Sequence, residues 1–294
     1  MYVTGASGFI GGHVARELRE QGAEVRDEFV GILDSAGLER AMDGCDAVFH
    51  VAALYSFDAP AVDLERVNVE GTRRVLDASA RAGVRRVVVT SSSGTCGPVP
   101  GRPATEQDEP PAWELEVPYK RTKLAAERMA LAAGAVAVNP TTPVGDGDWR
   151  PTPTGRMIAG VATGRFRAYL DIGLNVVDVR DVARGHVLAL ERGRPAERYL
   201  LGGVDLALAE LFAAVADLAG RARPHLRIPY SVAWTVARAG LLNRNELLLA
   251  RLPAYFSSEK ARRELGYSPG PVEPALSRAT NEALRRSRNA RSPS

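Results

Sequence analysis

Thr4-Gly5-Ala6-Ser7-Gly8-Phe9-Ile10-Gly11 stands between a short apolar run, Tyr2-Val-Thr, and an amphipathic stretch from about Gly11 to Gln21. In that strand–turn–helix setting each glycine has its own duty. Gly5 permits the tight turn, Gly8 lets backbone approach a pyrophosphate, and Gly11 allows helix and sheet to pack closely. Free N–H groups and the positive end of the helix dipole then face the phosphates, with Ser7, Phe9 and Ile10 in the same cofactor-binding stretch. The turn therefore predicts a dinucleotide site at the start of an α/β chain.

Outward from the turn, short apolar runs alternate with amphipathic helical patterns. Glu24-Val-Arg and Phe29-Val-Gly-Ile-Leu are strand candidates, and Ala47-Val-Phe-His-Val-Ala reads as a buried strand from its continuous apolar character. A long helix follows over about 62–82, with Leu64, Val67, Val75, Leu76 and Ala80 on one stripe. The strongest strand, 84–90, carries Val87-Val-Val; a helix over about 117–132 leads to a strand at 135–138. Such repetition implies a doubly wound parallel sheet with helices on both faces. After Pro140 the texture changes to prolines and glycines, and the chain should leave the sheet. A strand at 175–179 with its following helix, and Tyr199-Leu-Leu, should return to the sheet. The remainder reads as mostly helical. The expected division is a dinucleotide-binding domain over 1–140 with returning segments about 174–202, and a substrate lobe over 141–173 and 203–294.

Composition narrows the partners. The 294 residues carry 38 Lys plus Arg against 35 Asp plus Glu, a net charge of +3. The basic residues are dispersed, so no nucleic-acid stripe is expected. The Arg-rich end, 285–294, reads as a solvated, poorly ordered terminus. Cys45 and Cys96 form no disulfide framework and fit a reducing compartment. The four histidines, His13, His50, His186 and His225, lack metal-ligand spacing, so no metal is expected. With no leader pattern and no apolar run long enough to span a bilayer, a soluble cytoplasmic protein is expected.

Tyr119 stands four residues ahead of Lys123, in Val117-Pro-Tyr-Lys-Arg-Thr-Lys. That step puts both side chains on one helical face. A phenol ordinarily ionises near pH ~10, and a nearby ammonium should lower that value. The pair supplies what hydride chemistry at a C–OH or C=O needs, a group that takes or gives the hydroxyl proton.

The motifs fall in a specific order: the glycine turn, His50-Val-Ala-Ala, Asn68-Val-Glu-Gly-Thr, Thr90-Ser-Ser-Ser, Tyr119-x-x-x-Lys123, Asn139-Pro140 and Asp178-Val-Arg-Asp-Val-Ala. In that order the whole chain resembles the extended short-chain dehydrogenases/reductases, the NAD-dependent epimerase/dehydratase group. The resemblance implies a Rossmann-like fold with a smaller, mostly helical C-terminal substrate lobe, and NAD(P) as cofactor. It implies Ser92 and Tyr119 at the reacting oxygen and Lys123 lowering the Tyr119 pKa while holding the nicotinamide ribose. It further implies Asn68 steadying the active-site backbone, Ala52 and Ala53 lining the cofactor, and Asn139 and Pro140 near it. Ser91 and Ser93, beside Ser92, are expected to cap the strand end. A homodimer through the helices at 62–82 and 117–132 is the family's common arrangement.

Two departures matter. Nucleotide-sugar epimerases usually carry an Arg-Asp pair where this chain has Leu174-Asn175, so a bidentate arginine for a diphosphate is missing. Asn139-Pro-Thr-Thr-Pro-Val-Gly and Gly173-Leu-Asn-Val-Val-Asp-Val resemble instead hopanoid-associated sugar epimerases and dihydroflavonol-4-reductase-like proteins. The apolar helix around Val232, Trp234, Val236, Leu241 and Leu242 is a candidate pocket wall or simply lobe core. The second departure is the near absence of sequence between the second and third strands, where the adenosine end normally rests. Arg26 would favour NADP and Asp27 NAD, with Asp34 near adenine, so the choice between NAD and NADP stays open. The expectation is an NAD(P)-dependent oxidoreductase acting on a carbonyl or secondary alcohol of a small or lipid-like molecule. A sugar epimerase or dehydratase, and a non-catalytic cofactor sensor, are the alternatives.

Overall fold

The computed structural model of the chain describes residues 1–240 and 242–289. In chain order its strands are β1 Tyr2–Thr4, β2 Ala47–His50, β3 Arg86–Thr90, β4 Val136–Pro140, β5 Thr142–Val144, β6 Ala168–Leu170, β7 Gly173–Asp178, β8 Arg198–Leu201, β9 Val204–Ala207 and β10 Leu226–Ile228. Five of them, in the order β1-β2-β3-β4-β8, form one parallel sheet. The helices are α1 Phe9–Glu20, α2 Ser35–Met42, α3 Ala61–Leu64, α4 Gly71–Arg81, α5 Pro118–Ala132, α6 Pro153–Ala162, α7 Val179–Arg192, α8 Leu208–Leu218, α9 Tyr230–Arg238, α10 Arg244–Leu249, α11 Glu259–Leu265 and α12 Glu273–Asn289. On one face of the sheet, Val14 and Leu18 of α1 and Val182 and Val187 of α7 pack on Phe49, Val88 and Val138. On the other face, Leu38 and Met42 of α2 and Val75 and Ala78 of α4 pack on Tyr2 and Val48. Each Val, Leu, Phe or Met among them, fully buried, contributes about 1.5–3 kcal/mol.

Of the strand candidates at 24–26 and 29–33, only Arg26 pairs, as a single parallel bridge to Tyr2 at the β1 edge. A second parallel strand needs a crossover of roughly a dozen residues, and only Asp27 and Glu28 lie between the two candidates. Phe29 is instead 90% exposed. The chain goes straight into α2, which sequence reading missed because Gly37 interrupts a short pattern. Asp34 caps its first turn, accepting from the Gly37 N–H at 3.0 Å. Arg26 caps its end, donating to the Asp43 carbonyl at 2.7 Å.

The expected long helix forms as α3 and α4 joined by a π-helical segment, Glu65–Glu70. Leu64 and Val75 are buried as expected, but Ala80 is exposed. The second lobe is less helical than its sequence suggests. It contains a three-stranded sheet, β5-β7-β9, and a two-stranded one, β6-β10. The strand at 173–178 lies in that small sheet, with Val177 reaching the main core, while α7 and β8 return to the main layer. Part of the late chain returns as well: Ala261, Leu265 and Tyr267 are buried in the main core. The basic end is ordered helix to Asn289, with Arg286 donating to the Asp148 carbonyl at 2.6 Å; residues 290–294 lie outside the described residues. On α9 the buried positions are Ala233 and Ala237, while Val232 is exposed. Leu242 is exposed too, and Leu241 lies outside the described residues.

Candidate active site

At two of its positions, Gly5 and Gly11, the turn admits only glycine. Gly5 has φ +69°, and a Cβ there would come within 2.8 Å of the Ala52 backbone. A Cβ on Gly11 would stand 2.1 Å from the Gly5 carbonyl oxygen. The Gly8 N–H closes the turn on that same oxygen at 2.8 Å. Gly8 leads into α1 with no side-chain cap, so the first-turn N–H groups keep their donors for an anion. An uncapped helix start beside a turn closed by Gly5 and Gly11 fits a dinucleotide pyrophosphate.

A buried polar chain ties this turn to the next strand and helix. Thr4 Oγ1 accepts from the Val51 and Ala52 N–H groups at 3.1 and 3.2 Å and meets His50 Nδ1 at 2.9 Å. Thr72 donates to the Asn68 carbonyl at 2.6 Å, so its oxygen must accept from His50 Nε2 at 3.0 Å. That assigns the His50 tautomer from the network. Burial, helped by the Lys123 charge, lowers the His50 pKa to about 3 and keeps the ring neutral. Asn68, in the π-helical segment, clamps Leu54 from both sides, accepting its N–H at 2.8 Å and donating to its carbonyl at 3.1 Å. Its position steadies the 51–54 backbone that carries Ala52 and Ala53.

Pro118 opens α5 at its first turn, where a missing N–H costs nothing. Tyr119 and Lys123 follow one helical turn apart, both buried. Lys123 Nζ donates to the Thr90 carbonyl at 2.7 Å, which fixes it beneath the carboxyl end of β3. Burial lowers its pKa to about 8, against the opposing pull of Glu127. The expected depression of the Tyr119 pKa does not occur: burial raises it, and the neighbouring Ser92 hydroxyl offsets this by less. The ammonium is turned to a carbonyl, and desolvation of a phenolate outweighs it.

Among the three serines, Ser92 is half-buried while Ser91 and Ser93 are buried. Ser92 caps the 3₁₀ turn Ser93–Thr95, its Oγ accepting from the Gly94 N–H at 3.2 Å. The capping duty expected of Ser91 and Ser93 thus falls to Ser92, and the Ser91 hydroxyl has no partner among the described residues.

Other residues sit differently from expectation. The Asn139 amide is fully buried and spent on Ser92 O, Thr95 Oγ1 and Glu127 Oε2, so it holds the serine turn and does not face a cofactor. Pro140 ends β4 beside it. Arg26 and Asp34 are engaged on α2, and Asp27 pairs with Arg19 at 2.7 Å. Sequence reasoning missed Tyr55 and Phe57, whose rings lie 4.9 and 5.5 Å from that of Tyr119. It also missed Glu127, although a further step of four from Lys123 pointed to it. Among the described residues no cluster of His, Cys, Asp or Glu could hold a metal ion, and Cys45 and Cys96 are free.

Residues 1–202 match the model of the NAD dependent epimerase/dehydratase family. A putative dihydroflavonol 4-reductase of Synechocystis sp. is 35% identical, covering 95% of this chain and 93% of that protein. The sterol demethylase protein B of Methylococcus capsulatus is 32% identical, with 94% and 96% covered. The solved structure of gox2253 superposes with a TM-score of 0.87 at 36% identity, over 98% of each chain.

Proposed function

The chain belongs to the NAD dependent epimerase/dehydratase family, and from that premise we infer that it is an NAD(P)-dependent oxidoreductase acting on a ketone or secondary alcohol of a small, lipid-like molecule. The observation that carries the reading is one arrangement. Tyr119, Lys123 and the half-buried Ser92 converge at the carboxyl edge of the sheet, where the uncapped glycine turn also opens. Bound at that turn, the nicotinamide cofactor supplies or accepts the hydride. Gly5, Gly8 and Gly11 would hold its pyrophosphate, with Ser7, Phe9 and Ile10 in the same turn and Ala52 and Ala53 along its side.

In the reductive direction Ser92 donates a hydrogen bond to the substrate oxygen as negative charge grows there. Tyr119, which burial keeps protonated at neutral pH, donates the proton. Lys123 contributes its positive charge one helical turn away. Asn175 bears on the sugar-nucleotide alternative. Its amide is buried against Asp205 and the Phe256 carbonyl at 2.6 and 3.2 Å, where it cannot bind a diphosphate.

A panel of ketones and quinones followed at the nicotinamide absorbance tests the reading. Net, stoichiometric consumption of NADH or NADPH with at least one carbonyl compound is expected. Turnover of a sugar nucleotide with no net consumption would replace this reading with that of an epimerase. Among the described residues no helix is long and apolar enough to cross a membrane. From the family resemblance we further propose a cytoplasmic homodimer joined through the helices at 62–82 and 117–132; sedimentation would check the dimer.

A further inference from the structure

Glu127 is a carboxylate with no exposure at all, one helical turn beyond Lys123 on α5. Burying a charge is costly unless it is paired and hydrogen-bonded. Its partners come from three other parts of the chain. Arg198 of β8 donates to Oε1 at 2.8 Å. Asn139 of β4 donates to Oε2 at 2.5 Å, and the Thr95 hydroxyl lies 2.8 Å from the same oxygen. Thr95 and Asn139 also reach the Ser92 carbonyl, at 2.8 and 3.1 Å. The Thr95 hydroxyl has one proton for the Ser92 carbonyl and Glu127 Oε2. With the Asn139 amide donating to Glu127 and, at 2.9 Å, to Thr95 Oγ1, that proton goes to the Ser92 carbonyl, so Glu127 fixes the Ser92 main chain through Asn139 and Thr95 in series. The carboxylate also decides the Asn139 amide orientation, because only Nδ2 can face it, and this leaves Asn139 Oδ1 buried without a partner among the described residues. A pair kept only for stability would not need this route to the serine turn.

We propose that Glu127 is a positioning residue, which sets Ser92 through Thr95 and Asn139 and faces the Lys123 ammonium with a fixed opposite charge. Tyr119 and Glu127 flank Lys123 on its own helix, His50 faces it from β2, and the Thr90 carbonyl of β3 accepts a hydrogen bond from it. Glu127 in turn faces Arg198, and through it the Glu106 and Asp108 carbonyls. The role of Ser92 rests on the oxidoreductase reading above; the charge on Lys123 does not.

The chain's only lysines are Lys120, Lys123 and Lys260, so protein labelled with 13C at lysine Cε gives three signals, each assignable by a Lys→Arg variant. Titrated by NMR, the wild-type Lys123 signal should have its midpoint near pH 8. In Glu127→Gln that midpoint should fall by roughly one unit, with Lys120 and Lys260 unmoved. With 9,10-phenanthrenequinone and NADPH, kcat should fall at least about tenfold while KM stays within about threefold. An unchanged Lys123 midpoint in the folded variant, or an unchanged kcat, overturns the proposal. If Glu127→Gln shows no cooperative melt, Thr95→Val keeps the buried ion pair and carries the test. Its kcat should drop several-fold, and wild-type kcat there overturns the proposal. The NMR titration needs neither cofactor nor substrate. A wild-type protein that reduces no carbonyl, yet moves Lys123 as stated, would sink the oxidoreductase reading and leave the electrostatic role standing.

Discussion

Lys123 has to carry a charge in a place that disfavours it, and this sets the pH range of the chemistry. Its folded-state pKa is lowered to about 8, chiefly by burial, whereas that of Tyr119 is raised. Reduction needs the phenol protonated and the ammonium charged. As pH rises the ammonium is lost first, so kcat/KM for carbonyl reduction should be flat near neutrality. Above about pH 8 it should fall tenfold per unit. A limb near pH ~10.4, the ordinary lysine value, would show that burial does not control Lys123. At this scale the sequence was legible where a relation is local. A step of four residues placed Tyr119 and Lys123 on one face, and three glycines marked the turn. The direction of the Tyr119 shift was not legible, since desolvation depends on what covers a residue, and Tyr55 and Phe57 come from another loop.

Among the elements, α2 shows how a shortened connection is made structural. Arg26 and Asp34, which sequence reading offered to the adenosine end, cap the two ends of that eight-residue helix instead. Asp34→Ala should lower stability by about 1 kcal/mol, read as a reduced melting temperature, with the affinities for NAD and NADP unchanged. A tenfold loss of cofactor affinity without loss of stability would return Asp34 to the adenosine site. The π-helical segment between α3 and α4 belongs to the same scale. It lets Asn68 present its amide to Leu54 while its carbonyl accepts from Thr72, a local widening of the kind that clusters at functional sites. The expected smooth helix could not reveal it, because 3.6-residue periodicity carries no signal for one inserted residue.

Across the molecule, the two lobes are interleaved more deeply than the motif order implies. The family match ends at residue 202, yet the core under the main sheet needs chain beyond that point. Ser258 Oγ accepts from the Gly202 N–H at 2.8 Å, and the Tyr267 hydroxyl donates to the Gly202 carbonyl at 3.2 Å. Ala261, Leu265 and Tyr267 close the same core. A fragment of residues 1–202 should therefore lack a cooperative thermal transition, and a fragment melting like the whole chain would show that the late segment is dispensable. The small sheets of the second lobe escaped sequence reading for a related reason. Their strands are three to six residues long and pair across large sequence distances, so no local pattern declares them.

The central claim is that Tyr119 gives the proton in a hydride-transfer reaction. It is tested most directly by Tyr119→Phe, with nicotinamide binding followed by fluorescence and turnover by absorbance on the same sample. Loss of the hydroxyl alone should reduce kcat by roughly 10²–10⁴-fold, while the dissociation constant for NAD(P)H stays within about twofold. A variant that binds the cofactor normally and still turns over at the wild-type rate would contradict the account.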